Sequence, residues 1–372
     1  MNRSETTIRG LLELADVEVN GSRPWDLRVN DPRFYQRILA EGGSLGLGES
    51  YMDGWWDAEE LDTLIHRVLR AGLEHKVQPL KLLMPVVRAK LLNLQNRKRA
   101  WNIGAHHYDM GNEMYRLMLD RRMTYTCGYW KEATDLDAAQ EAKLDLVCRK
   151  IGLTSGMRVL DIGCGWGSFA HFAAERYGAQ VLGITVSKEQ IELGQEMCKG
   201  LDVELRFQDY RSINERFDRV VSLGMFEHVG PKNYHTYMQV VRRCLADDGL
   251  FLLHTIGTNT TATAVDPWTD KYIFPGGVLP TPTQVARAAE GVFILEDWHN
   301  FSVHYDPTLM AWMANIDAHR EELEKLGYDE RFYRMWKFFL LSSAGSFRAR
   351  RNQLWQLVYS REGLEGGYES LR

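Results

Sequence analysis

Ionisable side chains follow an apolar run of the sequence, at a position where a buried β-strand should end. Glu227 and His228 come after the apolar run DRVVSL, within the segment GMFEHVG, and His254 lies in a second apolar run, FLLHTIG. Burying a charge without partners is expensive, so these residues are candidate functional groups of the types that bind and transfer protons. His228 would point to the opposite face from Glu227 if the strand continued, so we interpret it as structural.

A glycine-rich segment, VLDIGCGWG, indicates a second functional element. It places Asp161 at the end of a strand and Gly163, Gly165 and Gly167 in the turn that opens the next helix. Glycines let the backbone approach a ligand closely, and folds of this kind bind ligands at the carboxyl ends of their strands. A turn that serves only close packing remains the alternative.

The spacing of the glycines disfavours a nicotinamide dinucleotide. That ligand requires GxGxxG and an acidic residue at the end of the second strand, whereas this chain has GCGWG and a second strand ending in Thr185-Val186-Ser187. An acidic residue before a shorter glycine loop resembles the Rossmann-like methyltransferases that bind S-adenosylmethionine.

These residues require a sheet to position them, and the second half of the sequence predicts one. Five strand-like runs alternate with helical stretches, which is typical of a doubly wound α/β sheet. The runs are MRVLDIGCG, AQVLGITVS, DVELRFQDY, DRVVSLGMF and GLFLLHTIG. VFILEDWHNF and LWQLVYSR predict two later strands, separated by a helical insertion over roughly residues 305–350.

The first hundred residues predict a mainly helical region. DPRFYQRILAE has an Asp-Pro helix start, and AEELDTLIHRVLRAG keeps its leucines and isoleucine on one helical face. The glycine-rich segment between them, GGSLGLGESYMDGWW, predicts a turn region with exposed aromatic residues.

Residues 76–99 carry seven basic residues and no acidic one, interleaved with leucine and valine. This composition is typical of an amphipathic segment that lies on anionic lipid, and a linker helix with a solvated basic face is the alternative.

Composition excludes several classes of protein. The 372 residues have a formal net charge of −5, which argues against general nucleic-acid binding. The five cysteines form no CxxC or metal-binding spacing, which favours a reduced cytoplasmic protein without a metal. The first twenty residues lack a signal-peptide core, and no uncharged run is long enough to span a bilayer, so we expect contact with a membrane only from its surface.

Motifs spread over nearly the whole chain resemble one family. In order they are GSLGLGESYMDGWW, HYDMGNEMY, TYTCGYW, LDIGCGWG, ITVSKEQ, GMFEHVGPKNY, FLLHTIG, DPWTDKYIFP and EDWHNF. They are similar to the S-adenosylmethionine-dependent cyclopropane synthases of the mycolic acid cyclopropane synthase superfamily. The resemblance implies a Rossmann-like class I methyltransferase fold and conversion of a cis double bond in a phospholipid acyl chain, at the membrane surface, into a cyclopropane ring. It also implies a homodimer.

The resemblance implies two sets of site residues. The set that binds S-adenosylmethionine comprises Tyr125, Thr126, Asp161, Gly163, Gly165, Thr185, Gln190, Asp209 and Tyr210. The set that holds a bicarbonate ion, the base of the reaction, comprises Cys127, Glu227, His254, Ile256 and Tyr305. Taken singly, Asp209 is more often a turn residue and His254 more often a satisfied core histidine. The alternatives for the other two are a small buried hydrophobe for Cys127 and a hydrogen-bonding residue at a domain edge for Tyr305.

By the same resemblance, residues 1–87 are a lipid-docking helical domain, residues 88–104 a basic linker and residues 105–372 the catalytic domain. Two other functions remain open. One is a related methyltransferase that acts on a small soluble substrate, and the other is a lipid-binding protein with a vestigial cofactor fold.

Overall fold

The structure, a computed structural model, describes residues 3–73, 111–261 and 266–372. Helices are numbered here in chain order over these residues. They are α1 (Arg3–Glu13), α2 (Arg33–Glu41), α3 (Gly43–Met52), α4 (Leu61–Arg70), α5 (Asn112–Met118), α6 (Leu136–Lys150), α7 (Ser168–Tyr177), α8 (Lys188–Met197), α9 (Tyr234–Cys244), α10 (Pro267–Tyr272), α11 (Pro282–Ala289), α12 (Tyr305–Ala318), α13 (Arg320–Lys325) and α14 (Glu330–Arg348). The strands are β1 (Arg28–Val29), β2 (Trp56–Asp57), β3 (Arg158–Ile162), β4 (Gln180–Thr185), β5 (Val203–Phe207), β6 (Phe217–Leu223), β7 (Leu245–Thr258), β8 (Ile294–Asn300) and β9 (Asn352–Ser360).

The chain divides into two compact units. The described part of the first, here called the helical unit, comprises residues 3–73, 266–275 and 305–352. The described part of the second, the sheet unit, comprises residues 111–261, 276–304 and 353–372. The domain boundaries predicted after residues 87 and 104 lie outside the described residues and stay predictions, as does the role of the basic segment 76–99.

The sheet unit is built on seven strands in the order β5-β4-β3-β6-β7-β9-β8. Strands β3 to β7 pair in parallel, and β8 pairs antiparallel with β9. Each of the seven runs that the sequence identified as a strand is one, and the predicted fold class is confirmed.

Both faces of the sheet are covered, as a doubly wound fold requires. Val159 of β3 belongs to one buried cluster with residues of α6 and α7. The next residue, Leu160, belongs to the opposite cluster with residues of α9 and α11. Successive side chains of a strand point to opposite faces, so an almost continuous apolar run such as RVLDI fits a strand with helices on both sides.

The helical unit corrects one prediction. The segment GGSLGLGESYMDGWW is not a turn region with exposed aromatic residues, because Gly43–Met52 forms α3 and the rings of Tyr51 and Trp56 are buried. Its glycines serve close packing. A Cβ at Gly46 would lie 2.8 Å from the carbonyl oxygen of Arg37, and one at Gly48 would lie 2.4 Å from the Trp268 ring.

The predicted helical insertion is confirmed as α12, α13 and α14, and it belongs to the helical unit. Helix α14 packs against α4, α3 and α12. The Arg348 guanidinium of α14 binds Asp62 of α4 at 2.7 Å and Asp306 of α12 at 2.9 Å. The insertion was predicted as part of the catalytic domain, residues 105–372, whereas these contacts join it to the N-terminal helices.

Within the described residues, none of the helices is both long and apolar enough to cross a membrane.

Candidate active site

The predicted site residues of the sheet unit gather along one edge of the sheet. Asp161 is in β3, Thr185 ends β4, Asp209 follows β5 and His254 is near the end of β7. Strands β3 to β7 are parallel, so their carboxyl ends meet at the same edge, which is where ligands bind in doubly wound folds.

The glycine loop after β3 serves two purposes. Gly163 has a φ of 83°, and a Cβ there would lie 2.6 Å from the Met225 side chain, so close packing alone requires this glycine. Gly165 has a φ of 57°, but among the described residues, chain neighbours aside, the nearest atom to its added Cβ is a Gln190 nitrogen at 3.9 Å. The packing of the described residues therefore accounts for Gly163 but not for Gly165, where those residues leave space for a ligand to approach the backbone.

Asp161 is buried at the end of β3. Burial raises the pKa of its carboxyl to about 7, and the positive charge of Lys143 opposes that rise. A carboxyl in this position can bind a cationic group of a ligand, which would lower its pKa again.

Thr185 and Gln190 form one hydrogen-bonded pair. The Thr185 hydroxyl donates to Gln190 Oε1 at 2.8 Å. The Ser187 side chain caps α8 by accepting from the Gln190 backbone N–H, which fixes where this pair lies. Two residues predicted separately for the cofactor site are therefore in direct contact.

Asp209 and Tyr210 differ in their surroundings. The Asp209 carboxylate accepts from both the backbone N–H and the guanidinium of Arg211, each at 2.9 Å, so it caps the short turn after β5. The Tyr210 ring packs edge-on against Tyr237 at 5.1 Å. Its hydroxyl is buried and finds no hydrogen-bond partner within the described part of the chain.

Tyr125 and Thr126 lie in the segment before α6. The Tyr125 ring packs edge-on against Tyr115 at 5.2 Å. Thr126 is held from α6, because Gln140 Nε2 donates to its carbonyl oxygen at 2.7 Å and Lys143 Nζ donates to its hydroxyl at 2.8 Å. Sequence reasoning missed Gln140 and Lys143.

A signal for these two residues was present in the sequence. They lie between Leu136 and Val147 at helical spacing, so two polar side chains occupy the apolar stripe of α6. Polar residues on a buried stripe need partners, and a search for them would have led to Thr126.

Glu227 lies just beyond β6 rather than in it. The strand ends at Leu223, and a short 3₁₀ turn, Phe226–His228, carries the glutamate. Its Oε1 accepts a 2.6 Å hydrogen bond from the backbone N–H of Ile256 in β7. Its Oε2 is buried and has no hydrogen-bond partner among the described residues. Burial raises the pKa of this carboxyl to about 7.

His254 lies in β7 directly opposite Leu223 of β6. Its ring is buried, and Gln356 Nε2 lies 3.3 Å from its Nδ1. Burial lowers the pKa of His254 well below the usual value, and the charges of Lys143 and Lys150 lower it further. The imidazole is therefore neutral, and a donor amide at Nδ1 leaves the proton on Nε2.

Thr126 and the end of β7 meet at Gly224. The Gly224 backbone N–H donates to the carbonyl oxygen of His254 at 2.9 Å. A Cβ at Gly224 would lie 2.8 Å from the Thr126 methyl group. The segment that carries Cys127, which is fully buried, therefore runs beside the ends of β6 and β7.

Two predicted residues have other surroundings. Tyr305 begins α12 in the helical unit, where its ring stacks on Phe347 at 4.4 Å, so its place in the bicarbonate site stays a prediction. His228 lies in the same 3₁₀ turn as Glu227, and burial lowers its pKa to about 4, so it is neutral. The turn replaces the strand alternation from which its orientation was predicted.

The sequence of the chain is similar to those of known cyclopropane synthases. Residues 95–357 match the family model described as mycolic acid cyclopropane synthetase. The cyclopropane-fatty-acyl-phospholipid synthase of Escherichia coli strain K12 is 53% identical over 363 residues, covering 97% of this chain and 94% of that protein.

Two solved structures resemble the fold. The mycolic acid cyclopropane synthase CmaA1, complexed with SAH and CTAB, is 30% identical, with a TM-score of 0.65 over 70% of this chain and 98% of its own. Coclaurine N-methyltransferase, bound to N-methylheliamine and SAH, is 21% identical, with a TM-score of 0.71 over 85% of this chain and 99% of its own. The sheet unit therefore has the class I methyltransferase fold that the sequence predicted.

Proposed function

The chain belongs to the mycolic acid cyclopropane synthetase family, and we propose that it builds cyclopropane rings in the acyl chains of membrane phospholipids. It is an S-adenosylmethionine-dependent methyltransferase of the cyclopropane synthase type. The finer part of the proposal is the substrate: a methylene group from the cofactor is added across a cis double bond of an unsaturated phospholipid chain. The name of the E. coli relative supports this choice.

The residues at the sheet edge fit the cofactor. Among the described residues, Gly165 leaves space beside the backbone and the buried Tyr210 hydroxyl has no partner, so it can donate to a ligand. The Asp161 carboxyl can pair with an amino group. S-adenosylmethionine, when bound, supplies an electrophilic methyl group that an alkene can attack directly. These residues therefore need only to hold the reactants in line and exclude water.

One observation carries the acid–base part of the proposal: within the part of the chain that the structure describes, the second oxygen of Glu227 has no hydrogen-bond partner. Attack by the alkene leaves a carbocation, and a proton must leave the added methyl group before the ring can close. A bound bicarbonate would supply the base. Glu227 Oε2 would accept a hydrogen bond from the hydroxyl of that ion, and the neutral His254 would donate through Nε2. Such a network would offset the repulsion between two anionic groups.

The remaining residues predicted for this site contribute differently. The Ile256 N–H already donates to Glu227, so it holds the carboxylate in place. Cys127, with no exposed surface, would form a small uncharged wall beside the ion. The family resemblance implies a further donor, the hydroxyl of Tyr305, and this role stays a prediction because Tyr305 belongs to the helical unit.

The membrane part of the proposal rests on the basic segment, which lies outside the described residues. Its seven cationic side chains would bind the anionic surface at the cytoplasmic face of the membrane. We expect a peripheral, cytoplasmic homodimer whose partners are phospholipid acyl chains and not nucleic acid.

Incubation with vesicles tests the proposal. Vesicles of an unsaturated phosphatidylglycerol, with methyl-labelled S-adenosylmethionine and bicarbonate, should yield acyl chains that gain the mass of one CH₂ and lose the double bond. A methyl-branched alkene or an alcohol would show a different fate of the same carbocation. Turnover of a small soluble amine without vesicles would support the alternative methyltransferase. Binding of cofactor and vesicles without any product would support a lipid-binding protein.

A further inference from the structure

Helix α6 directs two buried polar side chains at a single residue of the proposed cofactor site. Gln140 and Lys143 are one helical turn apart, and neither side chain has any solvent exposure. A lysine is almost never fully buried unless something compensates its charge, so its partners decide what it does.

Both side chains hold Thr126. Gln140 Nε2 donates to the Thr126 carbonyl oxygen at 2.7 Å, and Lys143 Nζ donates to the Thr126 hydroxyl oxygen at 2.8 Å. An ammonium group has donors only, so the Thr126 hydroxyl is the acceptor in this pair. The hydroxyl proton of Thr126 is therefore left to donate to another group.

The charges around Lys143 come from several segments. Burial lowers the pKa of Lys143 to about 8, while Asp120, Cys127 and Asp161 oppose this fall. The positive charge of Lys143 in turn lowers the pKa of His254. The ammonium form thus prevails below about pH 8, in a region that also contains residues of both proposed sites.

We propose that Lys143 is a positioning residue, which turns the Thr126 hydroxyl into a fixed hydrogen-bond donor toward an acceptor atom of the bound cofactor. Gln140 fixes the backbone of the same residue, so the hydroxyl keeps both its place and its direction. The inference rests on the proposed function, because it concerns the pocket for S-adenosylmethionine. It also explains what a small hydroxyl residue contributes at position 126.

A double-mutant cycle tests the inference through binding and does not depend on turnover. The probe is S-adenosylhomocysteine, and its affinity is measured by isothermal titration calorimetry for the full chain. We expect Lys143→Met and Thr126→Val each to weaken binding about tenfold, since each removes or misdirects one hydrogen bond. The double variant should bind no more weakly than either single one, because both changes act on one hydroxyl. Thr126→Ser, which keeps the hydroxyl, should bind within about threefold of the unmodified chain.

Lys150→Met is the matched control. Lys150 is on the same helix and equally buried, but its Nζ contacts His299 at 3.0 Å and Asp297 at 3.6 Å, away from Thr126. Its variant should change the free energy of unfolding and leave the affinity for S-adenosylhomocysteine unchanged.

The inference is overturned if Lys143→Met binds as tightly as the unmodified chain, or if the two losses multiply to about a hundredfold in the double variant. If the unmodified chain does not bind S-adenosylhomocysteine, the proposed cofactor fails and the inference fails with it.

A pH series keeps the test decisive if Lys143→Met does not fold. In the unmodified chain, binding should weaken as the pH rises through about 8, because a neutral Lys143 amine no longer fixes the direction of the Thr126 hydroxyl. Thr126→Val should lose that part of the pH dependence. Asp120, Cys127, Asp161 and His254 remain unchanged in both proteins, so an identical pH dependence in Thr126→Val overturns the inference.

Discussion

The backbone N–H of Ile256 and the side chain of Glu227 form a 2.6 Å hydrogen bond that joins β7 to the 3₁₀ turn after β6. A backbone donor cannot move away without breaking the strand, so it fixes the position of the carboxylate. The bond also uses the Ile256 N–H, so any contribution of this donor to the proposed ion site would be exerted through Glu227. The remaining oxygen of Glu227 is the one that can serve a ligand.

Glu227→Gln should lower the rate of cyclopropane formation by about 100-fold or more. The amide keeps the size of the side chain, but it can present an NH₂ group where Oε2 would accept a hydrogen bond from the proposed bicarbonate, so the base would be held poorly. Initial rates on unsaturated vesicles over a bicarbonate series measure this effect. The bicarbonate concentration for half-maximal rate should rise in the variant.

Asp297→Asn is the control for loss of a buried carboxylate. Asp297 and Glu227 are both 6% exposed, but Asp297 pairs with Arg372 and Lys150. Its variant should lose stability and keep the bicarbonate dependence of the unmodified chain. Full activity of Glu227→Gln with an unchanged bicarbonate dependence would exclude Glu227 as the anchor of the base.

Glu227→Gln should also make the free energy of unfolding less sensitive to pH. Burial raises the pKa of Glu227 from 4.5 to about 7, so between these values the folded chain binds more protons than the unfolded chain. The carboxyl is therefore tolerated at low pH and becomes destabilising as the pH rises through about 7. Between pH 4.5 and pH 8, the free energy of unfolding of Glu227→Gln should rise by up to about 3 kcal/mol relative to that of the unmodified chain, at 1.36 kcal/mol per pKa unit. Urea unfolding without ligands at both pH values measures the difference, and parallel pH curves would contradict the prediction.

Gln356→Leu should disturb the tautomer of His254. The Gln356 amide nitrogen, 3.3 Å from Nδ1, favours the form with its proton on Nε2. Without that donor both neutral tautomers become accessible, and we expect the rate to fall about tenfold while the fold is kept. Nitrogen chemical shifts of a labelled chain report the tautomer directly. An unchanged tautomer in the variant would mean that another contact sets it.

The strands were predictable because each is a short, mostly apolar run with a recognisable end in the sequence. Runs such as RVLDI and VLGIT are apolar on both faces and end at glycine or a hydroxyl residue, which suits only a covered parallel sheet. The α3 segment was not predictable in this way. Its glycines, Gly46 and Gly48, lower helix propensity locally, and the contacts that require them, with the Arg37 backbone of the preceding helix and with the Trp268 ring far along the chain, are not visible in a local sequence pattern.

The site was predictable only in part for a similar reason. The family motifs identified the residues at the strand ends, but the Glu227–Ile256 bond depends on a 3₁₀ turn that replaces the end of a strand. Lys143 and Gln140 lie outside the motifs. Their contacts with Thr126, which is 17 and 14 residues away in the sequence, appear only in the folded chain. Asp209 caps the turn after β5, and its part in the cofactor site stays a prediction.

Reversing the charges of Arg97, Lys98 and Arg99 to glutamate should weaken binding to anionic vesicles at least tenfold. Each basic residue near such a surface contributes about 1 kcal/mol, and the reversed charges add repulsion. Co-sedimentation with phosphatidylglycerol vesicles measures binding, and the difference should shrink as salt screens the charges. Neutral phosphatidylcholine vesicles are the control. Unchanged binding to the anionic vesicles would remove the docking role from this segment.

Gly163→Ala should mainly lower the free energy of unfolding, whereas Gly165→Ala should mainly weaken cofactor binding. Both residues have a positive φ, so each substitution strains the backbone by about 1 kcal/mol or more. At Gly163 the new methyl group would also meet the Met225 side chain at 2.6 Å, and we expect a further loss of about 1–3 kcal/mol in the free energy of unfolding. At Gly165 no atom of the described residues, chain neighbours aside, lies closer than 3.9 Å to the added Cβ, so little further stability should be lost. The methyl group would instead occupy the space left for a ligand, and S-adenosylhomocysteine should bind at least tenfold more weakly.

Urea unfolding and calorimetric titration of both variants measure the two effects. Equal losses of affinity at equal stability would show that the two glycines serve the same purpose.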